Sequence, residues 1–139
     1  MTGDLPDYTR MIAINVDIAP TGTIQVIARP MGGIHEFGSI ATGSDWATVT
    51  SYTVTDGAQF QLAKTLISCD QDVLYRLKWA GVVVSPEILV PASTPFPDWY
   101  PWDWETMEGD GSDALVLEAK YPSGGYAGTC HGEIIGEEY

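Results

Sequence analysis

The chain has 139 residues, enough for one domain with a buried core, and carries 19 acidic against 6 basic side chains, a net charge of −13. That balance excludes nucleic acid, whose phosphates call for clustered cations, and it excludes an anionic membrane surface. With 45% hydrophobic and 11% aromatic residues the chain is too apolar for a disordered acidic tail, and no apolar run reaches the ~18 residues that span a bilayer.

Met1 to Asp7 has neither a basic flank nor an apolar stretch, so no secretory signal is read there. Ile12, Ile14, Val16 and Ile18 then alternate with Met11, Ala13, Asn15 and Asp17, the period of a half-buried strand. Pro20-Thr21-Gly22 is a turn, and a second strand is expected at 23–29. Residues 30–45 hold four glycines and little periodicity, which predicts a loop or linker. The expected organisation is therefore an N-terminal arm or β-hairpin with its linker, 1–40, and a second unit, 41–139.

From Trp46 the pattern is regular. Residues 47–54 predict a strand, and Asp56-Gly57 a turn. Residues 58–69 predict a longer strand in which Phe60 and Leu62 are out of phase with Ile67 and Cys69; a bulge near Ala63-Lys64-Thr65 repairs the phase. Val73, Tyr75, Leu77 and Trp79 alternate with Leu74, Arg76 and Lys78, giving one apolar and one basic face. Further β-branched residues follow at 82–90. Pro86, Pro91, Pro95, Pro97 and Pro101 fall within sixteen residues and predict a long connection, since such a segment forms neither a helix nor a central strand. Strands are expected again at 99–107, 115–121 and 126–135. No segment has a 3.6-residue period, and seven or eight short strands separated by turns describe an all-β antiparallel sandwich, with eight strands in two Greek keys as the jelly-roll count. An immunoglobulin-like sandwich is the nearest rival, but the Cys…Trp…Cys spacing is missing.

The charge is uneven. Residues 1–79 hold eight acids and five bases, whereas 80–139 hold eleven acids and Lys120 alone. An acidic half of this kind faces solvent, gathers cations or meets a basic partner.

Signatures of catalysis are missing. There is no G-x-S-x-G, and the two histidines, His35 and His131, have no recognisable partner in sequence. Cys130 and His131 are adjacent on an expected strand and so point to opposite faces. No enzymatic activity is expected. Cys69 and Cys130 form no close-spaced motif, and their bonding stays open. Zinc motifs are missing as well. Asp98, Asp103, Asp110 and Asp113, with Glu105 and Glu108, are hard oxygen donors close in sequence; they are candidate cation ligands, Ca²⁺ being the one cofactor considered, although the spacing fits no EF-hand.

The most specific local feature is aromatic. Phe96, Trp99, Tyr100, Trp102 and Trp104 fall within nine residues, beside Asp98 and Asp103. Indoles flanked by carboxylates can stack on sugar rings, can anchor a subunit interface, or can plug the core.

The run Tyr52-Thr53-Val54-Thr55-Asp56-Gly57, the strand Phe60 to Cys69, Val73 to Leu77, the proline-rich crossover, Gly109-Asp110-Gly111 before a strand and the terminal Gly132 to Glu137 together resemble the small jelly-roll domains of tailed-phage virion proteins: capsid decoration (cement) proteins and related spike or fibre heads. The resemblance covers about two thirds of the chain and is one of strands and turns. It implies a homotrimer on the capsid exterior, partnered by a major capsid protein or another virion protein, with an arm that pairs by strand addition and with no catalytic residues. The alternative is a carbohydrate- or receptor-binding sandwich built on the tryptophans.

Overall fold

A computed structural model describes the backbone of residues 16–18 and 24–26, and residues 33–99 and 107–139. Every regular element among them is a strand. Strands β1 (Val16–Ile18) and β2 (Ile24–Val26) pair antiparallel, with Val16 opposite Val26, inside the two strands expected from the alternation. The other residues of the expected arm as far as 32 lie outside the described residues.

Ten further strands follow: β3 (Ile34–Ala41), β4 (Ala47–Thr53), β5 (Gln59–Cys69), β6 (Val73–Trp79), β7 (Val82–Val83), β8 (Ile88–Val90), β9 (Phe96–Trp99), β10 (Met107–Glu108), β11 (Ala114–Lys120) and β12 (Thr129–Glu138). They form two antiparallel sheets. One runs β3-β12-β5, with β9 and β10 both on the far side of β5; the other runs β4-β11-β6, with β7 and β8 both on the far side of β6. The pairings are nested: β3 with β12, β4 with β11, β5 with β9 and β10, β6 with β7 and β8. A single long antiparallel hairpin, rolled so that its two halves alternate between two sheets, has this order, which is that of the jelly roll. The expected all-β sandwich of jelly-roll type is the fold observed.

Alternation decides which side chains fill the space between the sheets. Val73, Tyr75 and Leu77 of β6 and Leu115, Leu117 and Ala119 of β11 are fully buried, as are Phe60 of β5 and Ile134 of β12 from the opposing sheet. Each large side chain so buried contributes about 1.5–3 kcal/mol. The expected bulge is present in β5. Ile135 lies opposite Lys64 but Gly136 lies opposite Leu62, so Ala63 is the extra residue, and both Leu62 and Ile67 reach the core. Between β6 and β7, Ala80 and Gly81 both have positive φ (50° and 82°), the requirement of a two-residue turn whose twist matches its strands.

Several expectations need correction. Residues 34–41, read as loop or linker, are strand β3, hydrogen-bonded along its length to β12, so they belong to the sandwich and not to an arm. Glycine misled the reading: Gly38 is required by packing, because a Cβ there would stand 2.1 Å from the carbonyl oxygen of Val49. The proline-rich stretch is more than a connection. It carries β8 and β9, and Pro97 is tolerated because β9 is an edge strand that pairs with β5 alone. Of the strand expected at 99–107 only the ends are described, Trp99 closing β9 and Met107 opening β10, and 100–106 lie outside the described residues. The last strand runs Thr129–Glu138, three residues beyond its expected end.

Candidate interaction surface

The acidic candidates are given separate structural duties. Asp98 sits on β9, and its Oδ2 accepts the hydroxyl of the fully buried Tyr75 at 2.7 Å. Asp110 shapes the turn before β11: its Oδ1 accepts the amides of Ser112 (2.7 Å) and Asp113 (2.6 Å), and the Ser112 hydroxyl adds a further bond. Those amides, Asp113 first, hold the Asp110 carboxyl below its ordinary range. The backbone carbonyl of Asp113 accepts the Val54 amide, tying this turn to the end of β4. Asp103 lies outside the described residues. Among the described residues no three His, Cys, Asp or Glu gather as a metal site.

Of the aromatic candidates, Trp99 ends β9 with its backbone opposite Lys64. Tyr100, Trp102 and Trp104 lie outside the described residues. Phe96 is half-buried and packs near Tyr75, ring centroids 6.1 Å apart, so this end of the cluster contributes to the core.

The expected basic face of β6 is largely neutralised in place. Glu118, opposite Arg76 on β11, accepts the Arg76 Nε at 2.9 Å and lies 3.9 Å from Lys78 Nζ. The Arg76 guanidinium lies 4.2 Å above the Trp46 ring, and the Lys120 ammonium 5.0 Å from it. These contacts cover Glu118 to 8% exposure and form a local network, not an open cationic patch.

What sequence reading missed is the outer face of the β3-β12-β5-β9 sheet. Register places Phe37, Glu133, Leu66 and Pro97 in one row across the four strands, and His35, Ile135 and Lys64 in the next. Phe37 is 74% exposed. His35 meets Phe37 edge-on at 5.9 Å, and its Nε2 lies 3.3 Å from Glu133. A groove of about 410 Å³ runs between Phe37, Leu66, His131 and Glu133. His131 points outward here while Cys130 is fully buried, as adjacent residues on a strand must. The alternation of His35, Phe37 and Ser39 carried the signal, obscured by the flanking glycines.

No family model and no curated protein matches the sequence. Among solved structures, a chain from Desmodium yellow mottle tymovirus is similar over 83% of this chain and 92% of its own length, at 11% identity and a TM-score of 0.34.

Proposed function

We propose that the chain is a structural protein of a virus particle: a homotrimeric jelly-roll decoration protein that binds and stabilises the outer surface of a phage capsid, with no enzymatic activity and no cofactor. The observation that carries this reading is the outer sheet face, where a 74% exposed phenylalanine stands in register with Leu66 and Pro97 on an otherwise strongly acidic chain. Its walls are side chains of one continuous sheet, a geometry suited to a broad protein surface. The carbohydrate-binding alternative loses one of its polar groups, since Asp98 accepts a hydrogen bond from Tyr75.

Analytical ultracentrifugation tests the oligomer. The expected species is three times the 15.1 kDa chain, about 45 kDa. Immunogold electron microscopy with an antibody against the chain tests the location, and particles labelled on their outer surface are expected. A monomer at micromolar concentration, together with unlabelled particles, overturns the reading.

A further inference from the structure

Cys69 is the last residue of β5 and Cys130 the second of β12, and the two are directly opposite in the antiparallel register. The neighbouring pair, Asp70 and Thr129, is joined by a backbone hydrogen bond from the Asp70 amide to the Thr129 carbonyl (3.3 Å). Hydrogen-bonded and non-hydrogen-bonded pairs alternate along an antiparallel ladder, so Cys69 and Cys130 occupy a non-hydrogen-bonded pair. In that arrangement Cα atoms are about 4.5 Å apart and side chains are nearest, within the ~4.4–6.8 Å span that a disulfide bridges. Both thiols are on the inner face of the sheet, with 3% and 0% of their residues exposed.

The Cys130 thiol is pushed up to about 12, by burial first and then by the charge and hydrogen bond of Cys69. Their remaining contacts are weak, Cys69 Sγ to Asp70 Oδ1 at 3.9 Å and Cys130 Sγ to the His131 carbonyl at 4.0 Å. The two differ in access. Cys69 keeps 3% exposure at the end of β5, whereas Cys130 is fully sealed.

We propose that Cys69 and Cys130 are a cross-strand redox pair, forming a disulfide with a low-molecular-weight disulfide such as oxidised glutathione, Cys69 reacting first and Cys130 resolving. The Cys69 thiolate attacks one sulfur of the oxidant, forming a mixed disulfide and expelling one reduced thiol. The Cys130 thiolate then attacks the Cys69 sulfur and expels the second. Two cysteine thiols and one small disulfide become one protein disulfide and two small thiols, so electrons and protons balance. Because burial disfavours the Cys130 thiolate, the second step is slow in the folded protein and accelerates with pH. The bond closes a loop of about sixty residues and ties β5 to β12 within one sheet.

Intact-mass spectrometry and peptide mapping after incubation with oxidised glutathione read the outcome. The expected product is about 2 Da lighter, the two hydrogens lost, with the Cys69 and Cys130 peptides linked. Its Tm rises by on the order of 10 °C, from the loop closed, and returns on reduction. Cys130→Ser stops at a glutathione adduct on Cys69. Refolding in a glutathione redox buffer is the second measurement, because it does not depend on access in the folded state. Two free thiols after both treatments, a stable adduct on the unaltered chain, or cross-linked dimers in place of the internal bond overturn the proposal.

Discussion

Tyr75 and Asp98 join the two sheets through the core: the tyrosine belongs to β6, the aspartate to β9 of the opposing sheet, and the hydroxyl donates to the carboxylate at 2.7 Å. Tyr75 is fully buried, so its hydroxyl depends on partners inside the protein. Asp98→Ala removes this acceptor from the buried hydroxyl and is expected to cost about 1–3 kcal/mol. Tyr75→Phe removes the donor, keeps the ring and is expected to cost about 1 kcal/mol. Urea denaturation of both variants checks this; equal losses, or a larger loss for Tyr75→Phe, would contradict the assignment.

Stability should fall at both ends of the pH scale through Tyr52 and Glu138. The Tyr52 hydroxyl donates to the Glu138 carboxylate. Burial, reinforced by Glu138, pushes Tyr52 from 10.0 up to about 12. The folded state therefore favours the protonated phenol. That contribution is whole below pH 10 and is lost as pH rises from 10 toward 12. Glu138 is shifted the other way, held below its ordinary 4.5 by hydrogen bonds from Thr55 and then Tyr52. Its contribution is present above pH 4.5 and is lost as pH falls through the depressed value. Denaturation midpoints of the parent and Tyr52→Phe should converge between pH 10 and 12; a constant gap would sink the idea.

Gly38 is the point where edge strand β3 presses on β4. A Cβ would meet the Val49 carbonyl oxygen at 2.1 Å and Thr50 Cβ at 3.2 Å, and the first of these is backbone that a rotamer change does not relieve. Gly38→Ala is expected to cost about 3 kcal/mol, the upper part of the overpacking range. Amide hydrogen exchange should show the loss concentrated in β3 and the facing side of β12. Unchanged protection there would mean that β3 simply moves aside.

Phe37 is exposed enough to be replaced without touching the core. Phe37→Ser is expected to leave Tm within about 1–2 °C, the effect of a surface change of ±0.5 kcal/mol. On the proposed function it should weaken attachment to particles at least tenfold, as loss of an aromatic anchor does. Co-sedimentation with particles stripped of the protein checks this, and undiminished binding would direct attention to the segment after Trp99.

Much of the sandwich was legible because burial on one face of a strand writes a period of two into the sequence. Val73 to Trp79 is the clearest case, and the out-of-phase Leu62 and Ile67 placed a bulge near Ala63-Lys64-Thr65, where the register makes Ala63 the extra residue. Strand β3 was not legible. Its inward Gly38 leaves no apolar mark, while its outward Phe37 places one on the solvent side. Short edge strands such as β9 were hidden by proline, which an edge accepts and a centre refuses. The acids Asp98 and Asp110 read as free ligands because sequence gives residue types without partners. Only the fold brings Tyr75 to one and the amides of Ser112 and Asp113 to the other.

The nested pairing has a consequence for synthesis. Of the described strands β12 is made last, yet it lies between β3 and β5. Until it leaves the ribosome, those two strands have no common neighbour, and their facing edges stay open to any extended chain nearby. The sheet therefore closes after translation of β12, through contacts roughly a hundred residues apart such as Gly136 with Ile34, which makes for slow folding. Nascent chains stalled before Thr129 should be the aggregation-prone species, and expression at low temperature or with a holdase should improve yield more than any substitution in the finished core.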